Sequence, residues 1–265
     1  MKRVLSIQDL SCLGRCSMTV TIPTLSAMGI QCIPLPTAVL SSHTAFPDPH
    51  VRDLTEDIAP IAAHWQSIGA DFDAICVGYL SDPMQAAAVE KILNAFPAKV
   101  VIDPVLGDHG RCYRRITDQH ISAMKTLCQK ADVLLPNVTE ACLLTGIAYK
   151  ETEELSWYTQ LLQAVKALGA KAVVLTGVGL EANQLGCMGT DGREEFAFQL
   201  PKVPKSSHGT GDLFTAIVTG ELTRGSSLSS AARRAGEFVA QTLSQLEETS
   251  PFGLPLEAML PSLWK

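Results

Sequence analysis

The chain has 265 residues, 46% of them apolar, and carries 21 basic against 27 acidic side chains for a net charge of -6. That length and apolar content suffice for one sizeable core, while the negative balance argues against nucleic acid or an anionic membrane surface as partner. No run approaches the ~20 apolar residues of a membrane span. The opening residues reach Gln8 and Asp9 too soon for a signal peptide, so the sequence reads as cytoplasmic. Its eight cysteines include no C-x-x-C pair and are expected to be reduced and mostly core.

In chain order, the pattern predicts a strand over residues 3–8, a loop of small residues over 9–17, and an apolar-periodic helix to Met28 that Gly29 closes. A second strand over 30–40 contains Pro34 and Pro36, which put it at a sheet edge or bend it. The polar run 41–49, with Ser42, His43 and Thr44, suits either a solvated turn or a substrate wall. A helix over 56–68 precedes a buried strand over 74–78, and Tyr79 follows it directly. Ligands gather beyond the carboxyl ends of parallel strands, so Tyr79 is placed to stack on a ring; a packed surface tyrosine is the alternative.

Pro83 opens a helix to Phe96, and a strand over 99–102 leads to Asp103 and Asp108, which suit a turn and cap or cation ligands. A helix over 118–130 and a strand over 133–135 come next. Asn137 and Glu140 then stand three apart at a helix start, the spacing of a capping box, which also aims both side chains at a hydrated magnesium ion. A helix over 153–168 feeds a strand over 172–176 that exits at Thr176. Short strands between 183 and 199 flank Gly-Thr-Asp-Gly, a hairpin signal.

Residues 206–216 crowd Gly209, Thr210, Gly211 and Asp212 into one turn before an apolar-periodic helix to about Thr223. The glycines let a ligand approach the main chain, and the free amides of the helix start favour an anion such as phosphate. Asp212 would repel that anion, which gives it a second reading as general base toward an attacking hydroxyl; an ordinary helix start with a first-turn acid is the plainer one. A helix over 228–246 and a short C-terminal helix complete the chain. The alternation predicts a single α/β domain over 1–265, a mostly parallel sheet with helices on both faces. Asp9, residues 42–44, Tyr79, residues 103–108, residues 137–140, Thr176 and Asp212 all fall on one rim of it.

These residues resemble the pyridoxal kinases, vitamin B6 kinases of the ribokinase superfamily, over nearly the whole chain. The likeness rests on Ser6-Ile7-Gln8, Leu40-Ser41-Ser42-His43-Thr44, Gly78-Tyr79-Leu80, Asp103-Pro104-Val105-Leu106-Gly107-Asp108, Pro136-Asn137 with Glu140, and Gly209-Thr210-Gly211-Asp212-Leu213-Phe214. It implies a three-layer sandwich without a separate lid domain and phosphoryl transfer from MgATP to the 5′-hydroxymethyl group of pyridoxal, pyridoxamine or pyridoxine.

By the same resemblance Asp212 is the base and the amides of Gly209, Thr210, Gly211 and Asp212 form the anion hole. Thr44 and Tyr79 would hold the pyridine ring, with Asp9, Ser42 and His43 beside them. Asp103, Asp108, Asn137 and Glu140 would organise ATP phosphates with Mg²⁺, and with K⁺ as a monovalent cation; Asp103, Asp108 and Glu140 are the metal candidates. Thr176 would contact a phosphate, and Lys202 and Val203 would lie near the adenine. A homodimer is also implied.

The chain departs from the pattern at Asp9-Leu10, where the resemblance implies Ser-His; the acid is expected to favour one vitamer, the amine. His208 stands where an apolar residue is usual, and residues 109–115 read as a basic flap over the phosphates or as a solvated loop. A hydroxymethylpyrimidine kinase would share the fold and Asp212 but show a glycine-rich segment that residues 11–15 match poorly. A sugar kinase would carry a Gly-x-Asn-x-Asp-like opening and a lid. A non-catalytic B6-binding protein would bind the vitamer without releasing ADP.

Overall fold

The computed structural model describes residues 1–246 and 250–264. The chain runs β1 (Arg3–Ser11), α1 (Met18–Ala27), β2 (Gln31–Leu40), β3 (Val51–Asp53), α2 (Thr55–Ser67), β4 (Ala74–Val77), α3 (Gln85–Ala95) and β5 (Lys99–Ile102). It continues through β6 (Gly107–Asp108), β7 (Arg111–Cys112), α4 (Asp118–Cys128), β8 (Val133–Leu134), α5 (Val138–Thr145), α6 (Leu155–Lys166) and β9 (Ala172–Val178). Last come β10 (Gln184–Thr190), β11 (Glu195–Pro201), α7 (Thr210–Arg224), α8 (Leu228–Ser244) and α9 (Leu256–Met259), which ends in a 3₁₀ turn.

A nine-stranded sheet forms the middle layer in the order β11-β10-β9-β8-β5-β4-β1-β2-β3. The strands from β9 to β2 are parallel, while β3 on one edge and β10 and β11 on the other are antiparallel. The period-two alternation of the parallel strands explains the two helical layers. Leu5, Ile7, Ile75 and Ile102 turn to one face and pack with Ile58 of α2, Val89 of α3, Leu127 of α4 and Leu161 of α6. Val4, Ala74, Cys76 and Val101 turn to the other, against Val20 of α1, Leu213 and Ile217 of α7 and Ala235 of α8. Each fully buried large aliphatic side chain contributes roughly 1.5–3 kcal/mol.

Three local features differ from the sequence reading. β1 extends to Ser11 because it keeps pairing with β2 across a register shift between Gln8 and Leu10, which carries Asp9 onto the strand. β3 covers only Ala38, Val39 and Leu40 of β2, so the outer flank is open at Pro34 and Pro36, a setting proline tolerates. Residues 107–112 close a small hairpin in place of a plain loop. The expected hairpin after β9 is present, and the Asp191 carboxylate accepts the amides of Arg193 and Glu194 in its turn.

All eight cysteines are free; Cys76, Cys128, Cys142 and Cys187 are buried, whereas Cys12 and Cys112 are exposed. Among the described residues no helix is long and apolar enough to cross a membrane.

The antiparallel edge gives the first test. A Cβ on Gly186 of β10 would overlap the Phe198 carbonyl of β11, a main-chain atom that cannot retreat without breaking the Gly186–Gln199 register. Gly186→Ala is expected to destabilise the protein by about 1–3 kcal/mol in urea unfolding. An unchanged midpoint would show that this edge is more pliable.

Candidate active site

The rim formed by the carboxyl ends of β1, β4, β5 and β9 faces the N-terminal ends of α5 and α7. Gly209 caps α7 with φ 87, and a Cβ there would overlap the Arg15 carbonyl and press on Val20. Only glycine meets both demands, so the amides of the first turn stay open to an anion.

Asp212 lies in that first turn, half-buried. Burial raises its carboxyl to about 7, with Asp103 and Asp9 adding to the rise and the Ser17 main-chain amide opposing it. Asp103 directly follows β5 and is 7% exposed. Its Oδ2 accepts the Thr215 hydroxyl at 2.8 Å, and burial lifts it to about 6. Thr215 is one helical turn beyond Asp212, so α7 turns both side chains to the same rim. This i, i+3 relation was a usable sequence signal for Thr215, which the sequence reading missed.

Asn137 and Glu140 form the capping box their spacing predicts: Asn137 Oδ1 accepts the Glu140 amide at 2.9 Å, and Glu140 Oε2 accepts the Asn137 amide at 2.8 Å. The other Glu140 oxygen accepts the Leu106 amide at 3.2 Å. Burial, with the charges of Asp103 and Asp108 nearby, holds the Glu140 carboxyl well above its usual range. Asn137 also donates to the Gly107 carbonyl at 2.9 Å, which ties α5 to the β6–β7 hairpin. Thr139 accepts the Gly110 amide at 2.9 Å, and Arg114 reaches Asp48 at 3.5 Å. The segment read as a flap or a solvated loop is thus a tethered hairpin that lines the cavity through Arg111 and Arg114. Tyr113 beside it lines the cavity, and desolvation with the charges of Glu140, Asp108, Asp103 and Asp212 pushes its phenol up.

A cavity of about 1470 Å³ joins these parts. Its wall brings together Gly209, Thr210, Gly211, Asp212, Asp103, Asp108, Asn137, Glu140, Thr176, Lys202, Val203 and His43. Thr176 bridges to Asn137, and its amide donates to the Pro136 carbonyl at 2.9 Å. Lys202 is exposed and anchored by its amide to the Asn183 carbonyl at 2.8 Å. Asp9, Ser42, Thr44 and Tyr79 are not part of that wall. Asp9, Ser42 and Tyr79 are buried at the neighbouring strand ends, with 3%, 7% and 9% of their surface exposed, and Thr44 is exposed.

His43 has both ring nitrogens engaged within the protein. Nδ1 accepts the Ala45 amide at 3.3 Å, so Nε2 is assigned the proton that it shares with the Pro251 carbonyl at 3.0 Å. Its ring packs between Phe46 and His208, with centroids at 4.7 and 4.8 Å. His208 is thus an exposed ring stacked on His43, and partial desolvation with His43 nearby lowers its pKa.

Ser17, the last residue of the loop before α1, has φ 48 and its side chain makes no cap bond. A non-glycine residue in that region stores roughly 1–3 kcal/mol of strain.

Three comparisons bear on this geometry. The family model described as phosphomethylpyrimidine kinase matches residues 18–253. The hydroxymethylpyrimidine/phosphomethylpyrimidine kinase of Haemophilus influenzae is 30% identical over 254 residues, 92% of this chain and 91% of that protein. A Bacteroides thetaiotaomicron protein assigned to the phosphomethylpyrimidine kinases, in a crystal form with pyridoxal, is 36% identical with a TM-score of 0.94, covering 99% of this chain and 95% of that one. The pyridoxal kinase of Lactobacillus plantarum is 33% identical with a TM-score of 0.90, covering 99% and 96%.

Burial of Asp212 has a consequence for stability. Its folded pKa of about 7 lies above the ordinary 3.8, so the folded state keeps a proton that the unfolded state releases, and stability is lost as pH rises between those values. Asp212→Asn removes that loss. The variant is expected to match wild type near pH 4 and to exceed it by about 2–4 kcal/mol above pH 7, measured by urea unfolding. A difference independent of pH would contradict the buried carboxyl.

Proposed function

The chain belongs to the phosphomethylpyrimidine kinase family, and from that premise we propose that it transfers the γ-phosphoryl group of ATP to the 5′-hydroxymethyl group of a B6 vitamer. The observation that carries the reading is Asp212, a carboxyl near neutrality at the mouth of a glycine-started helix. A base acts best with a pKa near the working pH, and such proton transfer is worth roughly 10² to 10⁴ in rate. The likeness to a protein crystallised with pyridoxal, 36% identical, supports the vitamer as acceptor.

In this reading the vitamer lies between the strand-end residues Asp9, Ser42, Thr44 and Tyr79 and the Asp212 carboxylate. Asp212 takes the hydroxyl proton as its oxygen attacks phosphorus. The amides of Gly209, Thr210, Gly211 and Asp212 meet the charge that spreads over the equatorial phosphoryl oxygens. ATP occupies the other end of the cavity, its adenine toward Lys202 and Val203 and its phosphates toward Thr176 and Asn137. The volume exceeds the roughly 300–1,000 Å³ of single-ligand pockets, in keeping with two substrates.

The donor set also fits Mg²⁺, which takes one or two carboxylates and retains water and phosphate oxygens. Asp103, Asp108 and Glu140 supply hard oxygens within electrostatic reach of one another, and among the described residues no cage of three or more His, Cys, Asp or Glu is preformed. When bound, the ion would neutralise phosphate charge. Asp103 is held by the Thr215 hydroxyl and Glu140 by the Asn137 and Leu106 amides.

The family model and the Haemophilus relative favour a second reading, hydroxymethylpyrimidine as acceptor. ADP release with MgATP and pyridoxal, pyridoxamine, pyridoxine or hydroxymethylpyrimidine separates the two. Turnover is expected with a B6 vitamer and is expected to vanish in Asp212→Ala, with kcat/KM dropping about tenfold per pH unit below 7 as the base protonates. Turnover with the pyrimidine alone would install the second reading. Vitamer binding without ADP release would mark a carrier.

A further inference from the structure

His43 and His208 both line the cavity, and the reaction described above gives neither of them a part. His43 is 3% exposed and spends its ring nitrogens on the protein: Nδ1 accepts the Ala45 amide at 3.3 Å, and Nε2 donates to the Pro251 carbonyl at 3.0 Å. Neither nitrogen is left for a substrate. The ring is equally committed, with centroids 4.8 Å from His208 and 4.7 Å from Phe46, inside the range of favourable aromatic pairs.

These contacts belong to a closed circuit around the anion cradle. From His43 it crosses to Pro251, follows the chain to Phe252, and passes from the Phe252 carbonyl to the Arg15 amide at 2.9 Å. The Arg15 carbonyl lies against Gly209, in a space where a Cβ would not fit. His208 directly precedes Gly209, and its ring returns to His43. Two further contacts cross the circuit: the His43 amide donates to the Leu13 carbonyl at 3.1 Å, and the imidazole fills the space that a Cβ on Gly14 would need. The loops after β1 and β2, the stretch before α7 and the stretch before α9 thus meet on one imidazole.

We propose that His43 and His208 are positioning residues for the cradle: the His43 imidazole, anchored at Pro251, carries the His208 ring, and that stack fixes the direction in which the Gly209, Thr210 and Gly211 amides face the transferred phosphoryl group. This rests on the reading of the cradle as the phosphoryl site, and it assigns His43 to the cradle instead of to the vitamer ring. His43 shares its short loop with Ser42 and Thr44, so the brace joins the acceptor side of the site to its phosphate side. Amides a fraction of an ångström out of place stabilise the transition state less while each substrate keeps its own contacts. The loss therefore falls on kcat and not on KM.

The test uses the full chain with whichever hydroxymethyl acceptor the wild type phosphorylates. His208 is exposed, so His208→Ala is expected to keep Tm within about 2 °C of wild type, which separates lost positioning from misfolding. Its kcat is expected to fall about 3- to 30-fold while both KM values move less than about threefold. His208→Phe keeps a ring in the stack and is expected to return kcat to within about twofold of wild type. His43→Ala is expected to lower kcat about 10- to 100-fold with the order of preference among acceptors unchanged, and the double variant to be no slower than His43→Ala.

A second arm needs no turnover: hydrogen exchange of the Arg15 amide, which donates to Phe252, is expected to be slow in wild type and faster in His43→Ala. Unchanged kcat in His208→Ala, a kcat in His208→Phe as low as in His208→Ala, a changed acceptor preference in His43→Ala, or unchanged exchange at Arg15 would each overturn the proposal and leave the kinase reading intact. Absence of ADP release by wild type with every acceptor would overturn both.

Discussion

The site depends on carboxyl groups crowded at one rim of a parallel sheet and kept from bulk water. Asp103, Glu140 and Asp212 are all displaced upward by burial, the charge of Asp103 lifts Glu140 and Asp212 further, and burial raises Asp9 as well. Such crowding is costly in an isolated fold, because like charges in a low-dielectric setting each disfavour ionisation of the next. The surroundings meet that cost with donors: Thr215 on Asp103 and the amides of Asn137 and Leu106 on Glu140. A cationic or phosphate-bound metal ligand would complete the neutralisation, which is why the rim reads as a place built for a charged substrate.

The same rim explains why the loops are so firmly fastened. Gly209, Gly110 and Gly253 each lie where a side chain would collide, with Arg15, Tyr149 and Arg15 again. The β6–β7 hairpin is bound to α5 through Gly107 and Gly110. His43 ties the 42–46 loop to the C-terminal segment through Pro251. These bonds cross between segments far apart in sequence, so the cavity keeps its shape without a continuous scaffold beneath it. Preorganisation of this kind is what lets amides and carboxyls stabilise developing charge without first reorienting.

Much of this was legible in the sequence where the signal was local. The cradle declares itself through two glycines around a hydroxyl and an acid, and the α5 cap through the three-residue spacing of Asn137 and Glu140. Buried strands such as β4 and β5 show as short apolar runs. What the sequence hid was set by tertiary pairing. Val51-Arg52-Asp53 has no period long enough to read as a strand, and Gly107-Asp108 and Arg111-Cys112 are too short and polar to read as a hairpin. Asp9 opposes strand propensity, yet the pairing of Gln8 and Leu10 with β2 on either side of a register shift keeps it within β1.

In the proposed reaction a half-buried carboxyl, seated beside a helix start with open amides, meets the hydroxyl that is to be phosphorylated. A crystal structure with a B6 vitamer and a non-hydrolysable ATP analogue tests it most directly. The 5′-hydroxyl oxygen is expected about 2.6–3.2 Å from an Asp212 oxygen and in line with the γ-phosphorus over the Gly209 to Asp212 amides. A hydroxymethyl group bound with its oxygen turned away from Asp212 would contradict it.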